Sequence, residues 1–292
     1  MEVRAPNWLI NEVRKAKRGI NAQVVENTRN LLANLHLATV CEQAACPNRG
    51  ECFSNRTATF LILGDICTRG CFFCAVKYGK PAATLDEEEP ERIAEAVNAL
   101  GLGHVVITSV TRDDLPDGGA GYYARVVKVV REHCPNVKVE LLIPDFCGSK
   151  GALSSIIDVA PDVLAHNLET VPRLYPTVRQ GADYLRSLTI LREAKAMMPC
   201  LITKSGIMLG LGEEKHEVKG VLKDLCDVGC DMLTIGQYLS PSIRHWPVAR
   251  YVKPVEFGDW QRLARAVGFK NVASGPLVRS SYKAPVFFQE IL

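Results

Sequence analysis

From Ala58 onward the chain alternates between two kinds of apolar pattern. Short continuous apolar runs predict strands at residues 58–63, 104–108, 137–143, 162–166, 201–208 and 231–235. Between and after them, residues 88–100, 122–133, 152–160, 183–197, 214–228 and 255–267 space apolar side chains at i, i+3 and i+4, as in Ile93, Ala96, Val97 and Leu100. That spacing predicts helices with one buried face. Strands that read as unbroken apolar runs belong to a parallel sheet covered on both sides. Gly101, Pro135, Gly151, Pro161, Pro199, Gly229 and Gly268 punctuate the joints.

Six consecutive βα units predict an α/β fold, either a barrel or a doubly wound sheet. No GxGxxG follows the first strand, which weighs against a dinucleotide-binding sheet. A full eight-unit barrel needs two more units, and beyond Gly268 only a ragged strand near 271–273 is offered. The expectation is a partial (β/α)6 barrel over residues 58–268. An N-terminal extension (1–57) precedes it, and a C-terminal tail (269–292) lies over the barrel mouth. In such barrels chemistry sits at the carboxyl ends of the strands. Polar clusters fall there: Cys67–Cys74 after the first strand, Ser109–Asp114 after the second and Asn167–Thr170 after the fourth. Lys204-Ser205-Gly206 and Gly210-Leu211-Gly212-Glu213 end the fifth strand, and Gln237-Tyr238 the sixth.

Composition narrows the function classes. Of 292 residues 47% are apolar and 23% charged, the proportions of an ordinary globular protein. No apolar run approaches the ~18 residues of a membrane helix. The opening Met1-Glu2-Val3-Arg4-Ala5-Pro6 lacks the apolar core of a signal peptide. The net charge, 35 − 32 = +3, is too slight to argue for nucleic acid. Cysteine changes the picture: six of the 11 lie between positions 41 and 74. A chain of this size does not need disulfides for a core, so clustered cysteines point to metal chemistry.

Cys67-Thr68-Arg69-Gly70-Cys71-Phe72-Phe73-Cys74 is a Cx3Cx2C run directly after the first strand. A closed structural zinc site needs four ligands, and no fourth Cys or His lies nearby. A cubane iron–sulfur cluster held by three thiolates keeps one iron open to chelate a small molecule. Upstream, Cys41, Cys46 and Cys52 form Cx4Cx5C. Taken alone, this second triplet is open between an iron–sulfur cluster and a zinc loop completed by a distant residue such as His36. Its neighbour tips the choice toward a second cluster.

Cx3Cx2C after the first strand of an α/β barrel resembles the radical S-adenosylmethionine superfamily. The combination with Cx4Cx5C, His166-Asn167-Leu168-Glu169-Thr170, Gly206–Glu213 and Arg279-Ser280-Ser281-Tyr282, in that order from Cys41 to Tyr282, resembles the lipoyl synthase family. The resemblance implies two [4Fe–4S] clusters and S-adenosylmethionine as cofactors. On Cys67, Cys71 and Cys74 the open iron binds S-adenosylmethionine, whose reductive cleavage gives a 5′-deoxyadenosyl radical. On Cys41, Cys46 and Cys52 the auxiliary cluster is the sulfur source, its fourth iron ligated by Ser281. The implied reaction inserts sulfur at C6 and C8 of a protein-bound octanoyl-lysine, with no catalytic side chain beyond the cluster ligands. Implied partners are an octanoylated lipoyl carrier domain or a glycine-cleavage H-type protein, a flavodoxin- or ferredoxin-type electron donor and a cluster-repair protein.

A pocket for S-adenosylmethionine needs hydroxyls, acceptors and a flat apolar wall. Ser109 and Thr111 offer hydroxyls, Asn167 and Glu169 suit the ribose, Lys204 suits the carboxylate, and Phe73 resembles the superfamily's adenine contact. An extended tail would point Ser280 and Ser281 to opposite sides, letting only one reach the iron. Oxygen-labile clusters also require a reducing compartment, so a cytoplasmic protein with no membrane and no nucleic-acid partner is expected.

Overall fold

The computed structural model describes residues 4–82 and 84–291. The reading of Met1, Glu2 and Val3 as no signal peptide lies outside the described residues. The six expected strands form within two residues of their expected ends, and a pattern of parallel strands followed by helices makes the chain α/β. Two compact units divide it, one holding residues 16–69 and 75–164, the other 4–15, 70–74 and 165–291. These boundaries differ from those expected at 57/58 and 268/269, and they separate Cys67 from Cys71 and Cys74.

Residues 4–57, whose periodicity is weak, also form helices. They hold α1 (Asn7–Ala16), α2 (Ala22–Asn34), α3 (Val40–Gln43) and α4 (Arg49–Ser54). Asn21 caps α2, its Oδ1 accepting from Gln23 N and Val24 N. The buried Thr28 hydroxyl donates to Phe53 O at 3.0 Å, fastening α2 to α4. In this first unit β1 (Thr59–Ile62) is wholly buried. The short pair β2 (Ile66–Cys67) and β3 (Lys77–Tyr78) follows, and then α5 (Glu89–Leu100) and β4 (His104–Ser109). The unit continues through α6 (Ala120–His133), β5 (Lys138–Leu142) and α7 (Lys150–Asp158) to β6 (Val163–Ala165). β1 pairs with β4 in the register Phe60↔Ile107, and β4 with β5 in the register Val106↔Glu140, both parallel. Val105, Ile107, Val139 and Leu141 are buried in these strands, and the apolar stripes of α5 and α6 lie against each other.

The second unit carries α8 (Tyr175–Val178), α9 (Tyr184–Met197), β7 (Ile202–Leu209), α10 (Lys215–Asp227), β8 (Met232–Gln237) and α11 (Pro254–Val267). The tail begins with β9 (Asn271–Gly275) and ends with α12 (Ala284–Gln289). The ragged tail strand is thus a full parallel partner of β8, from Met232↔Asn271 to Gly236↔Gly275. Its Asn271 and Val272 are buried where sequence alone shows only three plausible residues, because pairing supplies the order its short apolar run does not. The tail also reaches further than a mouth cover. Asn271, at the amino end of β9, donates from Nδ2 to Phe287 O at 3.0 Å, so α12 packs beside the amino ends of the strands.

Candidate functional site

In the first unit the upstream triplet is built on two short helices. Thr39 caps α3, its Oγ1 accepting from Glu42 N at 3.3 Å, and Ala38 O accepts from Leu61 N at 2.9 Å, tying Cys41 to β1. Cys46 N donates to Cys41 O at 3.1 Å, and α4 carries Cys52. Burial pushes the Cys41 thiol up to about 11, with the neighbouring Cys46 adding to it. Burial and the charges of Cys41, Cys46 and Glu51 push Cys52 up to about 12. The three sulfurs therefore sit close enough to repel one another as thiolates. Thr59 and Thr57 bond to Cys41 and Cys52 and oppose that rise in part. Among the described residues no group of three or more His, Cys, Asp or Glu side chains is placed to hold a single metal ion.

Cys67, the first cysteine of the downstream triplet, lies at the end of β2. Its sulfur accepts two backbone N–H bonds, from Arg69 at 3.4 Å and Thr111 at 3.3 Å. Thr68 closes the same seam, donating from N and Oγ1 to Thr111 O at 2.9 and 3.0 Å and accepting at Oγ1 from Asp113 N at 3.1 Å. Arg69 locks it: Nε and Nη2 bond Asp113 at 2.7 and 2.8 Å, and Nη2 reaches Asp145 at 2.6 Å. Burial disfavours that guanidinium's charge, yet the two carboxylates push its pKa further up. Thr111 therefore serves the Cys67 loop through its main chain. Ser109 ends β4 with its hydroxyl buried beside Tyr123.

In the second unit, Cys71 and Cys74 belong to a segment held by its main chain. Phe72 N donates to Val178 O at 3.0 Å, Phe72 O accepts from Trp246 N at 2.8 Å, and Cys74 N donates to Cys71 O at 3.0 Å. Trp246 is itself fixed, its Nε1 donating to Leu211 O at 2.9 Å and its carbonyl accepting from the Tyr238 hydroxyl at 2.6 Å. Phe73 is half-buried and Phe72 exposed. Arg179 bonds the Tyr175 hydroxyl at 2.8 Å and Ser187 Oγ at 3.2 Å. Burial opposes its charge, and the neighbouring Tyr175, Glu169 and Cys71 outweigh that.

Asn167 and Glu169 meet, though not on the extended stretch that the two-residue spacing assumed, Asn167 Nδ2 donating to Glu169 Oε1 at 2.9 Å. Glu169 sits at φ 65°, a left-handed backbone for a non-glycine residue. Its N donates to Gly206 O at 2.9 Å and its O accepts from Met208 N at 2.8 Å, which hold that conformation in place. Burial raises its carboxyl above the usual range, against the pull of Arg179, Asn167 and Arg279. A Cβ on Gly206 would meet Thr234 Oγ1 at 2.7 Å and Asn167 Oδ1 at 2.8 Å, so only glycine leaves Asn167 its place. At the end of β7, Glu213 accepts from Gly210 N, Leu211 N and Gly212 N at 2.7, 2.8 and 3.1 Å, turning the glycines into a filled nest.

Lys204 departs from expectation. It is the third residue of β7, fully buried, with Nζ 5.4 Å from the Phe287 ring centroid of α12. That places its ammonium toward the amino ends of the strands, where a cation–π contact takes it, and away from the expected cofactor carboxylate at the carboxyl ends. The tail departs too. Residues 280–283 are a turn, with Tyr282 N donating to Arg279 O at 3.1 Å, so Ser280 and Ser281 are not alternating positions of an extended strand. Ser280 Oγ donates to Asn167 Oδ1 at 3.0 Å.

Residues 61–225 match the radical SAM superfamily. A lipoyl synthase of Caldicellulosiruptor saccharolyticus is 56% identical over 284 residues, covering 97% of each chain. A lipoyl synthase of Caldanaerobacter subterraneus subsp. tengcongensis is 54% identical over 286 residues and covers 98% of each. The chain belongs to the lipoyl synthase family. Its fold is also like that of methylornithine synthase (PylB), with a TM-score of 0.54 at 16% identity, over 90% of this chain and 81% of that one. In this lipoyl synthase family member, the residues that sequence reasoning missed are those whose partners lie far along the chain. Asp145 stands 76 positions from Arg69, and Arg179 sits on no motif. The one available signal was Arg69 itself, a charged residue inside a cysteine loop, for which a buried counter-charge is required.

Proposed function

We propose that this chain is a lipoyl synthase, inserting two sulfur atoms at C6 and C8 of an octanoyl chain amide-linked to a lysine of a carrier protein. What carries the reading is the upstream triplet, in a chain that aligns over 97% of its length with a lipoyl synthase. Three thiols whose mutual charges and burial push Cys41 and Cys52 to about 11 and 12 need a cationic centre to ionise together. The three thiols therefore fit an iron–sulfur cluster on Cys41, Cys46 and Cys52, and the family resemblance adds Ser281 as its fourth ligand. Cys67, Cys71 and Cys74 fit a second, supported by the two N–H bonds to the Cys67 sulfur and by the Arg179 charge near Cys71. When bound, the clusters supply the electron that cleaves S-adenosylmethionine and the sulfur that is inserted.

The chain's own part is binding and orientation. Asn167 and Glu169 hold the ribose hydroxyls, Ser109 and Phe73 line the cofactor, and the Thr111 main chain fixes the cluster loop. Radical hydrogen abstraction needs no protein base at the attacked carbon, so no side chain is assigned one. Residues 1–57 carry the auxiliary triplet, 58–268 the radical chemistry and 269–292 the serine ligand. An octanoylated lipoyl carrier domain or H-type protein, a flavodoxin- or ferredoxin-type donor and a cluster-repair protein complete the reaction in a reducing compartment such as the cytosol. Among the described residues no helix is long and apolar enough to cross a membrane.

The test is anaerobic reconstitution with an octanoyl-lysyl peptide. The expected product gains two sulfurs and loses two hydrogens, with two 5′-deoxyadenosines formed per product. Deoxyadenosine formed without sulfur in the peptide would reject the lipoyl synthase reading and keep the superfamily.

A further inference from the structure

The tail that bears Ser281 also touches the pair assigned to the cofactor ribose. Ser280 Oγ donates to Asn167 Oδ1 at 3.0 Å, and Asn167 Nδ2 donates to Glu169 Oε1 at 2.9 Å. In this relay the Asn167 amide turns its NH2 to Glu169 and its oxygen to the serine hydroxyl. Two glycines clear the meeting place. A Cβ on Gly206 would meet Asn167 Oδ1 at 2.8 Å, and a Cβ on Gly236, on the neighbouring strand, would meet Val278 O at 2.2 Å. Arg279 adds a positive charge that acts on Glu169. Two consecutive tail residues therefore address the same pair, directly before the proposed cluster ligand.

We infer that Ser280 is a positioning residue that ties the C-terminal tail to the Asn167–Glu169 pair, so that tail seating and S-adenosylmethionine binding reinforce each other. The inference rests on the proposed reading of Asn167 and Glu169 as ribose contacts. The physical link is orientational. Without the serine donor, Asn167 loses one of the two bonds that fix its amide plane, and its remaining bond leaves the side chain free to rotate away. Coupling of this kind is reciprocal, so the bound cofactor holds the tail in place as much as the tail prepares the cofactor site.

The experiment uses the full chain, anaerobically reconstituted, in wild-type form and as Ser280→Ala, Ser280→Thr, Asn167→Ala and the Ser280→Ala/Asn167→Ala double variant. Iron and sulfide are counted, and the Kd for S-adenosylmethionine is measured by equilibrium dialysis. Ser280→Ala should bind about fivefold more weakly, the factor for one net hydrogen bond of about 1 kcal/mol, with iron and sulfide unchanged. Ser280→Thr, which keeps the hydroxyl, should restore most of the affinity, and the double variant should be no weaker than Asn167→Ala alone. If Asn167→Ala weakens binding and Ser280→Ala does not, the coupling is wrong and the ribose reading stands. If Asn167→Ala leaves the Kd unchanged, the ribose reading fails and takes the coupling with it. Loss of iron in Ser280→Ala would overturn the inference in favour of a direct ligand.

Discussion

Gly206 and Arg69 illustrate how single side chains govern the site from opposite directions, one by absence and the other by charge. Adding a methyl at Gly206 forces Thr234 Oγ1, at 2.7 Å, and Asn167 Oδ1, at 2.8 Å, to give way. Thr234 is buried on β8, so Asn167 moves. Gly206→Ala should weaken S-adenosylmethionine binding roughly tenfold, or about 1.4 kcal/mol, which lies within the ordinary cost of overpacking. Equilibrium dialysis of the reconstituted variant checks it, and unchanged affinity would place the cofactor away from Asn167. Arg69 is the converse case, since its five donors serve two carboxylates at once. Lysine cannot span Asp113 bidentately and reach Asp145, whose side chain is fully buried. Arg69→Lys should cost about 1.5–3 kcal/mol of local stability, the range for hydrogen bonds to charged groups. The variant should retain less iron on Cys67, Cys71 and Cys74 after gel filtration, measured in a chain whose Cys41, Cys46 and Cys52 are alanine.

At the scale of elements, the amino ends of β7, β8 and β9 are tied by one carboxylate. Asp231 lies just before β8, accepts from Thr203 N at 2.9 Å, and pairs with Lys195 at 2.5 Å and Lys270 at 2.7 Å. Burial pulls its carboxyl up, but the bonds from Lys195, Lys270 and the Thr203 backbone hold it below the ordinary value. A depressed carboxylate contributes stability above its unfolded pKa, about 3.9, and loses it as pH falls through the lower folded value. Asp231→Asn should therefore destabilise the chain by about 1.5–3 kcal/mol at pH 7, with the difference from wild type shrinking below about pH 4. Thermal unfolding across that range decides it, and a pH-independent difference would mean the ion pairs contribute nothing. Periodicity found the strands and helices of the repeating part within two residues, because each buries one long apolar face. It missed α2, whose buried residues are Thr28 and Leu32 alone, and it took residues 280–283 as extended where they turn. The turn follows Val278 and Arg279, which lie against Gly236 of β8, more than 40 positions back.

For the whole molecule, the two cysteine triplets should behave as separable units. Replacing Cys41, Cys46 and Cys52 with alanine should remove one cluster and abolish sulfur insertion, while reductive cleavage of S-adenosylmethionine persists. Replacing Cys67, Cys71 and Cys74 should do the reverse, keeping the auxiliary iron and ending cleavage. Ser281→Ala should lose or severely reduce lipoyl formation with cleavage retained. Iron and sulfide counts with deoxyadenosine and product assays on each variant read all three outcomes. Loss of both clusters in either triple variant would mean that the triplets fold as one.

The sequence by itself determined the α/β class, the strand and helix positions of the repeating part, and the family, because apolar period and cysteine spacing are local properties. It also drew attention to Asn167 and Glu169, although their hydrogen bond forms with a left-handed backbone at Glu169 that the two-residue spacing does not encode. Only the tertiary structure decided which carboxylates neutralise Arg69, that Lys204 lies over the Phe287 ring, and that Ser280 meets Asn167. Each of these depends on where a strand end or the tail arrives in space. No local pattern encodes that, because the free energy of a buried charge or hydrogen bond is set by the group it finds and not by the residues beside it in the chain.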